Sequence, residues 1–181
     1  PEEPGSDKPN VIIINADDQG YGDLSCQGSP TIYTPNIDKL ASEGIRMTCF
    51  YSAGNVCVPS RRGLMTGRYA ARIASDGNVQ GREMSGQENT LGELFKKYDY
   101  STACLGKWHL GMTPGSHPND QGFDYFYGTS SSNDHFSQKG FEYTYEGFKN
   151  ARIDHFNVPL YRQNDTVEIP ANQRLFTQRY T

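Results

Sequence analysis

The first pattern along the chain is an uninterrupted run, Val11–Ala16 (VIIINA), with apolar residues on both faces of an extended segment. A half-exposed strand alternates, so this run predicts a central strand of a parallel sheet, covered on both sides. It stops at Asp17-Asp18, with Gly20 and Gly22 following as a turn. In TPNIDKLASEG the period changes to that of a helix. Ile37, Leu40 and Ala41 form its apolar face, Thr34 is the N-cap, Pro35 the first helical residue and Gly44 the stop. Ile45–Ser52 alternates as a strand does. A second helix is predicted from near Pro59 to Gly67. A third starts at Thr90, where Glu93 completes a capping box and Leu91, Leu94 and Phe95 point inward. Ser101–Leu105 is another short strand, running into Gly106-Lys107-Trp108-His109.

Strand and helix in alternation predict an α/β fold with a largely parallel central sheet flanked by helices. From Met112 to about Pro170 the pattern loosens into Gly, Ser, Asn and aromatics, as in GFDYFYGTSSSNDHF. Long surface loops with few regular elements are expected there. Asn172–Thr181 reads as the opening of an amphipathic helix, with Leu175, Phe176 and Tyr180 on one side and no stop signal. Residues 1–9 read as a solvated leader. Residues 10–181 are expected to be the N-terminal portion of a longer polypeptide.

Composition narrows the partners. At 181 residues, 35% hydrophobic and 21% charged, the chain suits one globular domain. No apolar run approaches the roughly 20 residues of a membrane helix, so no membrane partner is expected. A net charge of −4 argues against nucleic acid. Locally the balance reverses: Tyr51 to Ser75 holds Arg61, Arg62, Arg68 and Arg72 and no Asp or Glu. A basic pocket on an acidic chain suits a small anion. The cysteines at 26, 49, 57 and 104 fit no zinc spacing and are too sparse for a disulfide scaffold. They read as thiols, with one bridged pair left open.

Ligands of open α/β sheets bind beyond the C-terminal ends of the strands. Asp17 and Asp18 follow the first strand, and Lys107 and His109 follow a later one. Cys57 stands just before a helix whose first N–H groups would attract an anion. Together these segments offer two carboxylates for a hard cation, a helix N-terminus with arginines, a lysine, and a histidine able to move a proton. That set suits a tetrahedral oxyanion ester. Singly, each has a plain structural reading as turn former, solvated lysine, satisfied histidine or surface ion pair.

Cys57, Pro59, Ser60, Arg61, Leu64, Thr66, Gly67 and Arg68 match C-x-P-S-R-x-x-L-x-T-G-R at every fixed position. YDYSTACLGKWHLG carries Lys107, Trp108 and His109 in a second motif, G-K-W-H-L-G. The two together resemble the formylglycine-dependent type I sulfatases of the alkaline phosphatase superfamily. The opening NVIIINADDQGYGDLSCQG, the TPNIDKLASEG helix and GFDYFYGTSSSNDHF also look like that family. The likeness weakens between Ile73 and Gln87 and from Gln138 to Pro170. It implies an alkaline-phosphatase-like catalytic domain, of which 10–181 is the N-terminal part. A second Asp–Asn or Asp–His metal pair, a further histidine and another lysine would come from the remaining C-terminal part of the same polypeptide.

The resemblance also implies a chemistry. A formylglycine-generating maturation enzyme reads Cys57, Pro59 and Arg61 in extended form and oxidises Cys57 to an aldehyde. Hydrated, it attacks the sulfur of a sulfate ester and forms a covalent sulfo-enzyme intermediate. The second hydroxyl then drives release of sulfate. Asp17 and Asp18 would bind Ca²⁺, with position 57 as metal neighbour. Arg61 would hold the diol and the metal-site charges in place. Lys107 would contact a sulfate oxygen and the leaving-group oxygen, and His109 would bond to the diol and assist elimination. Ser132 falls where relatives place a hydroxyl near the sulfate. His117, His135 and Arg152 are candidates for sugar or sulfate contacts, His135 chief among them as a substrate-binding residue. The implied substrate is a sulfated saccharide, with aryl sulfates as artificial ones, and the implied location is periplasmic, secreted or lysosomal. Two other readings stay open: a phosphonate or phosphate ester hydrolase of the same superfamily, and a non-catalytic sulfated-glycan binding module in which Cys57 remains a thiol.

Overall fold

The computed structural model describes residues 8–73 and 83–181. Most of the predicted leader, 1–9, lies outside them. The chain divides into two compact units, Pro1–Phe50 and Tyr51–Thr181.

In the first unit, helix α1 spans Pro35–Glu43. Pro35 opens it because its fixed φ is helical and its missing N–H would be unpaired there anyway. Thr34 is the N-cap, yet its hydroxyl makes no cap bond. It accepts from the Ser25 N–H at 3.0 Å and donates to the Asp38 carboxylate at 3.0 Å. Asp38 also accepts from Ser25 Oγ at 2.7 Å and from the Cys26 N–H at 2.9 Å. These bonds to the ionised form, Ser25 first, hold the Asp38 carboxyl below the usual carboxylate range. Gly44 ends the helix in an extended conformation. The expected strand Val11–Ala16 is not formed. Ile12 and Ile14 are 84% and 86% exposed. A strand exists only by pairing, and no partner for it stands among the described residues. Ile45–Ser52 is likewise irregular, and the apolar face of α1, Ile37 and Leu40, lies open.

In the second unit, the helices are α2 (Cys57–Thr66), α3 (Ala70–Ile73), α4 (Leu91–Lys97), α5 (Tyr145–Lys149) and α6 (Phe176–Tyr180). The strands are β1 (Ala103–Lys107), β2 (Tyr125–Thr129), β3 (Leu160–Arg162) and β4 (Asp165–Glu168), in the order β1-β2-β3-β4. β1 and β2 run parallel, with Ala103 opposite Tyr125 and Lys107 opposite Thr129. β2–β3 and β3–β4 are antiparallel. The fold is α/β as expected, but among the described residues the sheet is mixed rather than largely parallel. The difference comes from β2, β3 and β4, which arise inside the stretch expected to be loops. Gln163 shows how that stretch is organised. It turns the β3–β4 hairpin at φ 55°, its N–H donates to the Phe126 carbonyl at 2.8 Å, and its side-chain oxygen accepts from the Phe126 N–H at 2.7 Å.

The core of this unit is Val58, Met84, Trp108, Leu110 and Phe126, so it joins α2, the segment after β1, and β2. Two glycines set the β1–β2 spacing. A Cβ on Gly128 would lie 1.8 Å from the Gly106 carbonyl oxygen. α4 starts with the predicted capping box: the Glu93 N–H donates to Thr90 Oγ1 at 3.3 Å and the Thr90 N–H to Glu93 Oε2 at 2.8 Å. Leu94, expected to point inward, is 49% exposed. The buried Thr90 hydroxyl also donates to the Gln121 carbonyl at 2.7 Å, so it joins α4 to the loop before β2. Thr90→Ala is expected to lower unfolding stability by about 1–2 kcal/mol, read from the denaturant midpoint. Thr90→Ser, which keeps the cap, should cost less.

Candidate active site

β1 delivers Lys107 to its C-terminal end, and the ladder continues beyond it. The Trp108 N–H donates to the Thr129 carbonyl at 3.0 Å and the His109 N–H to the Ser130 carbonyl at 3.2 Å. His109 sits at φ 61°, in the left-handed region, and is 4% exposed. A bulky residue stays in that region only when its surroundings hold it there. The ladder bonds on one side and buried Trp108 on the other do so. Trp108 donates from Nε1 to the Ser116 carbonyl at 2.9 Å and packs edge-on to Phe123.

Cys57 is the first residue of α2, not the residue before it, and Val56 provides no side-chain cap. Cys57 packs against the cluster that contains Trp108. Arg61, one turn on, donates from Nη1 to the Lys107 carbonyl at 2.5 Å. The structure thus brings together Cys57, Arg61 and the Lys107–His109 turn. Beside them, burial pushes the Cys104 thiol up to about 12, with the Arg61 charge opposing. Cys104 therefore stays protonated at neutral pH. Among the described residues all four cysteines are unbridged.

The expected basic pocket is divided. Buried Arg62 donates to the Glu83 carbonyl at 2.7 Å. Arg68 pairs with Glu88 at 2.7 Å and donates to the Arg72 carbonyl at 2.9 Å. Arg61 reaches the β1 end.

His135 and Ser132 come from the loop after β2. Ser132 is 8% exposed, and its carbonyl accepts from the His135 N–H at 3.1 Å. The His135 ring stands edge-on to His109, with centroids 5.3 Å apart. Its Nδ1 is 2.5 Å from the buried Ser131 hydroxyl. Ser131, which sequence reasoning did not single out, is the serine whose hydroxyl meets His135. Three adjacent serines carry no signal of which one meets the histidine.

His117, a candidate for sugar or sulfate contact, has a structural role before β2. It is buried against Phe126, and its Nδ1 accepts from the Asn119 N–H at 3.2 Å, which fixes the turn before β2. Arg152 forms an exposed pair with Asp154, with both N–O distances 3.0 Å. Asp17 and Asp18 belong to the first unit and are exposed, Asp18 with φ 55°. Adjacent carboxylates fit the oxygen preference of Ca²⁺, but two residues supply only part of its 6–8 ligands. Among the described residues no three His, Cys, Asp or Glu side chains cluster as a metal cage.

The Sulfatase family profile matches residues 9–168. Arylsulfatase G of Mus musculus is 38% identical over 189 aligned positions, covering 96% of this chain and 36% of that protein. Steryl-sulfatase of Homo sapiens is 42% identical over 152 positions, covering 73% of this chain and 25% of that protein. The crystal structure of Ps i-CgsB in complex with k-i-k-neocarrahexaose aligns with a TM-score of 0.72 and 37% identity, covering 88% of this chain and 37% of that one. The chain therefore spans about a quarter to a third of the curated relatives it matches. The match extends through both signature segments, the two that the structure packs on one core, and the chain belongs to the sulfatase family.

Proposed function

We propose that the full-length protein hydrolyses sulfate esters, with a sulfated carbohydrate as its substrate and residue 57 as its nucleophilic position. The observation that carries this reading is the packing of Cys57 against the Trp108 core, with Arg61 bonded to the Lys107 carbonyl. Relatives named arylsulfatase and a neighbour in complex with k-i-k-neocarrahexaose support it.

Oxidised to formylglycine and hydrated, residue 57 would supply the attacking hydroxyl, and Ca²⁺ held in part by Asp17 and Asp18 would draw charge from the sulfate oxygens. The chain's own residues do the rest. Arg61 fixes α2 against the end of β1, so residue 57 and Lys107 keep one spacing. Lys107 places an ammonium against a sulfate oxygen and the departing oxygen, where negative charge grows in the transition state. His109 moves a proton at the nucleophile. Ser132 and His135 flank the bound sulfate from the β2 side. Remaining metal ligands come from the C-terminal remainder of the polypeptide. A maturation enzyme that reads Cys57, Pro59 and Arg61 in extended form must act before α2 forms, because Pro59 is buried in the folded helix. A compartment outside the cytosol, where sulfated polymers occur, is the proposed location.

Two measurements test this. Peptide mass spectrometry across Cys57 should show a loss of about 18 Da relative to the thiol. Kinetics should favour an aryl sulfate over an aryl phosphate diester. A thiol at 57 with no turnover would leave a binding module, and a preference for the diester would place the protein with the phosphoester hydrolases.

A further inference from the structure

We propose a second ligand site in the second unit: a cleft of about 450 Å³, bordered by Lys139, Phe141, Glu142, Glu146, Asn150 and His155, that receives an unsulfated, hydroxyl-bearing sugar unit next to the sulfated one. This assignment takes the sulfatase reading as given and deepens it.

The volume lies within the ~300–1,000 Å³ range of small-molecule sites. Its floor is held in place before any ligand arrives. The half-buried Phe141 ring meets Phe156 at 4.6 Å, Tyr143 and Phe148 at 5.3 Å and His155 at 5.8 Å between centroids. The wall is fixed by backbone. Gly147 comes so close that a Cβ there would lie 2.1 Å from the Glu142 carbonyl oxygen, and its N–H donates to Thr144 Oγ1 at 3.1 Å. A site whose groups are already ordered loses less entropy on binding.

The polar groups at the rim match hydroxyls, which donate and accept at once. Glu142 and Glu146 only accept, and Lys139 only donates. The His155 Nδ1 accepts from the Arg152 N–H at 3.2 Å, which leaves the ring proton of the neutral form on Nε2. Asn150 donates to the Glu146 carbonyl at 2.9 Å and keeps its amide oxygen as an acceptor. The charges that line the cleft disfavour the alternative occupant. Among the lining residues two carboxylates stand against one ammonium, and Lys149, 3.7 Å from Glu146 in an exposed pair, lies outside the lining. A sulfate group placed there meets like charge.

The cleft is also within reach of the sulfate site. Only three peptide steps separate His135 from Gln138, at most about 11 Å of chain. Tyr143 bridges the two regions, with its hydroxyl 2.5 Å from Ser137 Oγ and 3.5 Å from the Asp134 carbonyl. A sugar neighbouring the one being desulfated falls within that span.

The test uses the full-length enzyme and three substrates: an aryl sulfate, a disaccharide sulfated on one unit only, and the same disaccharide sulfated on both. The wild type should favour the singly sulfated disaccharide by about tenfold in kcat/KM, the scale of one partly screened like-charge contact. Glu142→Gln with Glu146→Gln should bring the ratio to within about twofold, whereas a variant that is merely less well folded lowers both disaccharides alike and keeps the ratio. Melting curves report folding directly. No aryl sulfate turnover by the wild type overturns the sulfatase reading itself. Turnover of the aryl sulfate with no discrimination between the disaccharides, or with discrimination that survives the double variant, overturns the cleft assignment alone.

Discussion

Cys57→Ala in the full-length protein is expected to lower aryl sulfate turnover by on the order of 10⁴-fold or more, the scale seen when a covalent nucleophile is removed. The fold should survive, because the lost sulfur is one partly buried atom at the edge of the Trp108 cluster, worth about 1 kcal/mol. Cys57→Ser separates two explanations of that loss. Serine restores one hydroxyl but not the second, so it should take up sulfate at most once per molecule and then stall. Pre-steady-state assays would show a stoichiometric burst or nothing. Continuous turnover by either variant would remove residue 57 from the chemistry.

Gly128→Ala is expected to cost about 3 kcal/mol or more, enough to unfold a marginal domain. The added Cβ would meet the Gly106 carbonyl oxygen at 1.8 Å, and both atoms belong to backbone that cannot rotate away. β1 and β2 would have to part at the register that aligns Lys107 with Thr129. Gly67→Ala is the control. Gly67 caps α2 at φ 66° with nothing within 4 Å, so alanine there meets only the left-handed penalty of about 1 kcal/mol. Denaturant unfolding of the two variants side by side should separate them clearly. Equal costs would mean the parallel pair is not the constraint described.

Those two glycines also show where sequence reading ran out. Local signals were sound: the Thr90–Glu93 box, Pro35 at the head of α1 and Gly67 at the end of α2 all do what their neighbours predict. Each is decided within four residues. β2 is not, because Tyr125–Thr129 is made a strand by Ala103–Lys107 upstream and Leu160–Arg162 downstream. Its glycine and polar neighbours disguise it as loop. The same rule misled the reading of Val11–Ala16, where composition favours a strand but pairing is absent among the described residues. At the site, the residue types were legible and their division of labour was not. Arg61 and Arg62 are adjacent, so a helix turns them about 100° apart. One serves Lys107 and the other Glu83. Ser131 was invisible for a similar reason, since only the fold selects it for His135.

The uncovered VIIINA segment has a practical consequence. Six residues without charge or proline, the first four of them β-branched, make a template for cross-β growth. Where nothing overlays that ribbon, identical copies can stack on it edge to edge, so concentrated preparations of the bare 181-residue chain are set to form fibrils or precipitate before they crystallise.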